Sequence, residues 1–252
     1  MPAAIGFAFL FLPLLAILIR APWRGLDRLL SGSSGLTALR LSLECATAAT
    51  VLSLLLGVPL AWVLARVRLP GIGLLRALVT LPLVLPPVVG GLALLLALGR
   101  NGVFGRFLYS ATGYSLPFTT NGVIVAETFV AMPFLVLTVE GAIRSADREL
   151  EEAAATLGAS RGMVFGRVTL PLVSPSLLAG AVLCWARALG EFGATITFAG
   201  SLQGTTRTMP LEVYYALETD PEQAVALSLV LLVVAVAVLA ALRDRWLRPG
   251  AW

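Results

Sequence analysis

The chain has 252 residues, 58% hydrophobic and 13% charged, with 18 basic against 14 acidic side chains and a net charge of +4. A soluble domain is roughly 45–50% apolar and about 25% charged, so the polar surface here is too small for a water-soluble globule and the composition is that of a multi-pass membrane protein. Every basic residue is arginine, spread along the chain rather than clustered with aromatics, which argues against a nucleic-acid partner. Histidine is absent, and the two cysteines, Cys45 and Cys184, sit in or beside apolar runs. Their spacing suggests packing and neither a metal nor a redox site.

A bilayer core about 30 Å thick takes roughly 20 helical residues to cross, and six apolar runs meet that length. The first, residues 3–19, has no basic segment before it and no clean small-x-small cleavage site after it, so it reads as a retained helix and not a removed leader. SGSSG at 31–35 reads as an external loop. The second run is 44–65. The third, 74–98, contains LPLVLPPVVGG, where Pro82, Pro86, Pro87, Gly90 and Gly91 predict a break in mid-membrane. Such a break needs cover from protein or water, and serves either a kinked packing helix or one that lines a pathway. The fourth, 121–139, carries Glu127, a membrane acid whose partner the sequence does not name. The fifth is 175–199 and the sixth 223–242. No internal repeat of roughly 20–50 residues is present.

Six spans put both termini on one side of the membrane. If that side is the cytoplasm, ten arginines lie inside and seven outside, with Arg187 inside a span. The bias follows the positive-inside rule, although the first external loop, with Arg20, Arg24, Arg28 and Arg40, runs against it.

Between the fourth and fifth runs lies EEAAATLGASRGMVFGRVTLPL, residues 151–172, which is polar and helical in character. Ser145 or Asp147 can cap its start, and Glu149, Glu151 and Glu152 suit the positive end of a helix. Leu150, Ala153, Ala154 and Leu157 form one apolar stripe. Gly158 can take the left-handed conformation and turn the chain. A second short helix starts at Ser160, with Val164 and Val168 on one face, and Pro171 marks its end. Ser174 and Pro175 then read as the cap and first residue of the fifth span. Such a short stripe does not fold alone and needs a surface to dock against.

The segment resembles the cytoplasmic loop motif of ABC importer permeases: E-A-A, three residues, G, nine residues, a branched aliphatic, one residue, L-P. Here those positions are Glu152, Ala153, Ala154, Gly158, Val168, Leu170 and Pro171, with Val168 in place of the more usual isoleucine. Residues 186–214, ARALGEFGATITFAGSLQGTTRTMPLEVY, look like the fifth-span region of the molybdate permeases, and sulfate and thiosulfate permeases carry a related stretch. The resemblance implies an all-α membrane protein with about six transmembrane helices, of the type I ABC importer permease fold, as a single domain over residues 1–252. It implies a cytoplasmic coupling loop, 144–172, seated in a groove of an ATPase, and therefore cytoplasmic termini. Implied partners are a second copy of the chain, two cytoplasmic ABC ATPase subunits, an extracytoplasmic molybdate-binding protein and membrane lipid. ATP and Mg would be bound by the ATPase, and no cofactor or metal by this chain.

Arg187 and Glu191 are spaced to pair on one face of the fifth span, near Gly190, Gly193 and Ala194, where another helix can approach. A charge in the membrane must face protein or water. Two readings stay open: a structural ion pair tying two helices, or Arg187 facing an anion path with Glu191 tempering its field. Gly193, Thr195 and Thr197 complete the candidate pathway. Residues 200–222, with Arg207, predict a short external helix after Pro210, an outer gate, a contact for the binding protein or a plain connection.

The chain has no lysine and hence no G-x-x-x-x-G-K-[ST] phosphate loop. The function the resemblance implies is that of a transport subunit and not of an enzyme: ATP-driven import of molybdate, or of the chemically close tungstate. The alternatives are a sulfate or thiosulfate permease of the same fold, an ATP-independent secondary transporter or channel, and a membrane anchor.

Overall fold

The computed structural model describes residues 1–26, 33–67 and 70–246. Its helices are α1 (Pro2–Arg20), α2 (Ser33–Arg66), α3 (Ile72–Val84), α4 (Pro87–Leu98), α5 (Gly105–Thr112), α6 (Thr120–Ser145), α7 (Arg148–Thr156), α8 (Arg161–Val164), α9 (Leu170–Leu189), α10 (Gly193–Phe198), α11 (Met209–Thr219) and α12 (Pro221–Trp246), with a π turn at Phe165–Thr169 between α8 and α9. No strand occurs among the described residues. Five helical stretches are long and apolar enough to cross a membrane: α1, α2, α6, α8 through α9, and α12. The pair α3 and α4, bent by 118° at its break, is a sixth candidate.

The expected single domain over 1–252 groups into two compact units, residues 1–43 with 201–252, and residues 44–200. In the first, α11 and α12 pack around Ala38, Met209, Ala216, Ala224 and Leu227. The Met209 N–H donates to Ser42 Oγ at 2.7 Å. Asp220 Oδ1 accepts from the Glu222 and Gln223 N–H groups, each at 3.2 Å, and so caps α12. α1 lies along α12 and buries none of its own residues, as an apolar helix facing lipid or another chain does.

In the second unit α6 is the central post. Thr119 caps it by accepting the Gly122 N–H at 3.1 Å. Val130, Ala131, Leu135, Val136 and Val139 are buried along it. α9 runs against α6, where a Cβ on Gly180 would stand 3.1 Å from Leu135 Cδ1. α4 and α10 approach more closely still. A Cβ on Gly91 would meet the Ala194 carbonyl oxygen at 2.8 Å, and one on Gly193 would meet Pro87 Cβ at 2.8 Å. Only glycine admits that contact. Leu94, Ala126, Val130, Ala194 and Phe198 form the core where these two helices meet α6.

Four features depart from the sequence reading. α2 begins at Ser33 and not near residue 44, so Ser33, Ser34 and Gly35 of the expected SGSSG loop are helical, while residues 31–32 of it, with Arg28, Arg68 and Arg248, lie outside the described residues. In the third run the break is confined to Leu85 and Pro86, which are extended with ψ of 133° and 131°. A residue before proline disfavours the helical region, and two consecutive prolines remove two donors. Pro82 stays inside α3, and Gly90 and Gly91 inside α4.

Pro171 does not end a helix, and Ser174 with Pro175 does not start one. The chain is helical from Arg161 to Leu189. The π turn just before the proline explains why. Its closing bond, from the Leu170 N–H to the Phe165 carbonyl, spans five residues. Pro171 has no N–H, and its ring would crowd the carbonyl four residues back; a wider turn ahead of it relieves that conflict and lets the helix continue. Finally, the fifth run is not one helix to residue 199. α9 stops at Leu189, and α10 restarts at Gly193.

Candidate functional site

The polar segment between α6 and α9 is held at every backbone terminus. Of the two possible caps, Asp147 acts: its Oδ1 accepts the Glu149 N–H at 2.9 Å, while Ser145 Oγ donates to the Gly141 carbonyl inside α6. α7 ends in a Schellman motif. The Gly158 N–H reaches the Ala155 carbonyl at 2.9 Å and the Ala159 N–H reaches that of Ala154 at 3.1 Å. Gly158 sits at φ +87°, the left-handed region that glycine enters without strain. Ser160 Oγ then accepts the Met163 N–H at 3.4 Å to start α8.

The apolar stripe of α7 points outward. Leu150 is 49% and Leu157 89% exposed, and Met163 on α8 is exposed beside them. Glu152, Ala153, Gly158 and Pro171 are exposed, and Ala154, Val168 and Leu170 half-buried.

Glu151 faces the other way. Its Oε1 accepts from Arg66 Nη2 at the end of α2 and from Thr169 Oγ1 in the π turn, both at 2.9 Å. The side chains of Arg66 and Glu151 are 8% and 19% exposed. One carboxylate thus fastens α7 to two other elements. A second ionic node lies beside it. Glu140 Oε1 on α6 accepts from Arg76 of α3 and Arg144 of α6, each Nε at 2.9 Å. Both guanidiniums also donate to the Leu64 carbonyl, at 3.4 and 3.2 Å, and so satisfy an acceptor in the last turn of α2. Sequence reasoning missed Arg66, Arg76, Glu140, Arg144, Glu151 and Thr169 as a group. The Arg66–Glu151 bond spans 85 positions, and no local pattern encodes it.

The candidate pathway residues gather at the break between α9 and α10. Arg187 pairs with Glu191 at 2.6 Å, as the spacing suggested, but across the break and not on one helix face. The other Glu191 oxygen accepts the Ala194 N–H at 2.7 Å and caps α10. Glu191 is 1% exposed, whereas 27% of the Arg187 side chain is exposed. Thr195 is buried with Oγ1 unpartnered, and Thr197 Oγ1 is spent on the Gly193 carbonyl. Arg187 and Thr197 are the half-buried members of the group, and of the two only Arg187 carries a charge. Of the expected close-approach positions, Gly193 and Ala194 meet α4, while a Cβ on Gly190 would meet no neighbouring helix. Glu127 is 1% exposed and its Oε2 has no hydrogen-bond partner among the described residues.

In the first unit, Arg207 stacks over the Tyr215 ring at 4.4 Å, donates to Ser201 Oγ at 3.1 Å and pairs with Glu212 at 3.4 Å. The stretch before α11 is thereby ordered, and α11 is the short helix expected there, with Pro210 in its first turn. Both cysteines are free and buried. Among the described residues no group of three or more His, Cys, Asp or Glu is placed to hold a metal ion.

A helical bundle with a broken span and an exposed, doubly capped helix pair is the fold of a transport permease. The crystal structure of a bacterial ABC transporter that imports alginate has a chain of the same fold, with a TM-score of 0.77 and 21% identity, covering 99% of this chain and 94% of that one. The chain belongs to the family of binding-protein-dependent transport system inner membrane components, whose profile matches residues 57–251. It is similar to the molybdenum transport system permease protein ModB of Mycobacterium tuberculosis, 56% identical over 94% of this chain and 90% of that protein. The sulfate transport system permease protein CysT of Salmonella typhimurium is 36% identical over 91% of this chain and 84% of that protein.

Replacing Glu151 with alanine strands Arg66 in a buried site. Loss of one partner of a buried pair costs on the order of 3 kcal/mol, so the melting temperature should fall by about 6–12 °C. Glu152→Ala, at an exposed position, should shift it by less than about 2 °C. Fluorescence-monitored melting of the two purified variants checks the difference.

Proposed function

We propose that the chain is the permease subunit of an ATP-driven, binding-protein-dependent importer of molybdate. One observation carries the transporter class: α7 and α8 are capped, fastened from behind by Glu151, and leave Leu150 and Leu157 exposed among the described residues. That is what a docking element for a partner protein requires, and Glu152, Ala153, Ala154, Gly158, Leu170 and Pro171 belong to it. The partner is a cytoplasmic ABC ATPase, two copies serving two copies of the permease. ATP and Mg bind there, since this chain has no phosphate loop. Loop 144–172 and both termini are then cytoplasmic, residues 1–252 act as one transmembrane permease domain, and an extracytoplasmic protein delivers the anion. For the substrate, the greater likeness to the molybdenum permease than to the sulfate permease supports molybdate, with tungstate as a near equivalent.

Movement of the ATPase reaches α7 first. Because Glu151 bonds to both Arg66 and Thr169, displacement of α7 pulls on α2 and on the π turn that leads into α9. α9 ends at the break beside half-buried Arg187. Arg187 supplies the positive charge an oxyanion seeks, and Glu191 reduces it, so that the anion is not held too tightly for release. Gly193, Thr195 and Thr197 shape the break, Gly193 through its contact with α4.

Cells deleted for the gene should regain molybdenum accumulation, measured by elemental mass spectrometry, when the gene is restored. The recovery should survive a large excess of sulfate; abolition by sulfate would assign a sulfate permease instead. Gly158→Val forces a β-branched residue into the left-handed region, at a cost of roughly 1–2 kcal/mol. Uptake should drop about tenfold while membrane levels persist, and ATPase co-purification should weaken with it. For Arg187, the neutral pair Arg187→Ala with Glu191→Gln leaves no buried charge unpaired. Uptake by this double variant should stay low at normal membrane levels; wild-type uptake would reduce the pair to a structural tie.

A further inference from the structure

A cavity of about 650 Å³ opens where α2 ends and α3 begins. Leu64, Arg66, Pro70 and Ile72 line it together with Arg144 of α6 and Arg148 of α7. Among the described residues that line it, three are arginines and none is acidic. Nearby carboxylates neutralise them only in part. Arg144 shares the single carboxylate of Glu140 with Arg76. Arg66 gives Nη2 to Glu151 but leaves its buried Nε without an acceptor. Arg148, in the first turn of α7, has no hydrogen bond or ion pair to any described residue. A guanidinium with unused donors in a concave site is built for a tetrahedral oxyanion, which it can engage with two parallel hydrogen bonds.

We infer that this cavity binds a phosphate-like tetrahedral oxyanion group, held between Arg148 of α7 and Arg144 of α6 with Arg66 behind them. Two sources offer that chemistry. The first is the headgroup of an anionic phospholipid, for which Leu64, Pro70 and Ile72 supply an apolar wall beside the charges, and basic pockets between membrane helices are known to take such headgroups. The second is a free oxyanion in solution. Either occupant touches the helix that Glu151 fastens, and so adds a removable contact between α7 and α6. The inference concerns binding alone and holds whatever ion the permease carries.

The test uses the full chain, purified in detergent and stripped of lipid, as wild type, as Arg148→Gln and as the double variant Arg144→Gln with Arg148→Gln. Arg161→Gln, at an exposed site outside the cavity, is the control. Circular dichroism and size exclusion establish that each is folded; if the double variant is not, Arg148→Gln decides alone. Retention of phosphatidylglycerol is read by native mass spectrometry against phosphatidylcholine, and retention of inorganic phosphate and of molybdate by equilibrium dialysis. Wild type and the control should hold one anionic ligand per chain, with affinity about fivefold lower in Arg148→Gln and lower again in the double variant. Phosphatidylglycerol bound in preference to phosphatidylcholine identifies the lipid source. Phosphate or molybdate bound without lipid identifies the free ion. Equal retention by wild type and the arginine variants, or no retention of any probe by wild type, overturns the site.

Discussion

A backbone inside hydrocarbon has no water to bond to, so each N–H and C=O released by a helix break must find a partner within the protein. The organisation of this chain follows from how that demand is met. At the break after α9, Glu191 caps the restart at Ala194. At the end of α2, two arginines donate to the Leu64 carbonyl. Ahead of Pro171, the bond from Leu170 to Phe165 widens to a π turn and keeps the helix intact. At the first two of these places charged residues act, because a guanidinium or carboxylate can satisfy a stranded backbone group and its counter-charge together. A residue that looks functional by virtue of its charge therefore has structural work as well, and Glu191 is the clearest instance: the same side chain pairs with Arg187 and starts α10.

The division of labour between two neighbouring acids is equally physical. Glu151 and Glu152 are adjacent in a helix and point about 100° apart. One turns inward and bonds to Arg66 and Thr169; the other is exposed, as Leu150 and Leu157 are, on a different side of the helix. A helix this short has little stability of its own, so the inward bond is what allows the outward face to be presented as a firm surface. Removing the burden of folding from the exposed side leaves Leu150, Leu157 and Glu152 free to be chosen for contact with another protein.

Much of this was legible in the sequence where the governing chemistry is local. Apolar length pointed to about six spans, the Ser160 cap and the Gly158 turn followed from residue type, the cap of α7 was narrowed to Ser145 or Asp147, and Pro86 with Pro87 announced a broken helix. The errors came where one local rule was applied against a competing one. Pro171 suggests a stop because a proline does not continue an ordinary α-helix, but a π turn supplies a way through. The spacing of Arg187 and Glu191 suggests one helix face, but the helix ends at Leu189 and the pair closes across the break. The serine and glycine stretch before α2 suggested a loop by composition, yet its last residues are helical. The nodes at Glu151 and Glu140 were out of reach for a different reason: each joins residues from distant parts of the chain, and pairing of that kind is decided by tertiary packing.

The π turn has a further geometric meaning. Each residue of an α-helix advances the chain about 1.5 Å and rotates it about 100°. A turn that accommodates one extra residue therefore offsets the phase of everything before it, relative to everything after. Thr169 comes round to meet Glu151 on one side of that offset, while α9 keeps its own face against α6 on the other. Two helical surfaces with incompatible angular registers can thus share a single continuous rod, and the rod can still transmit torque from one to the other.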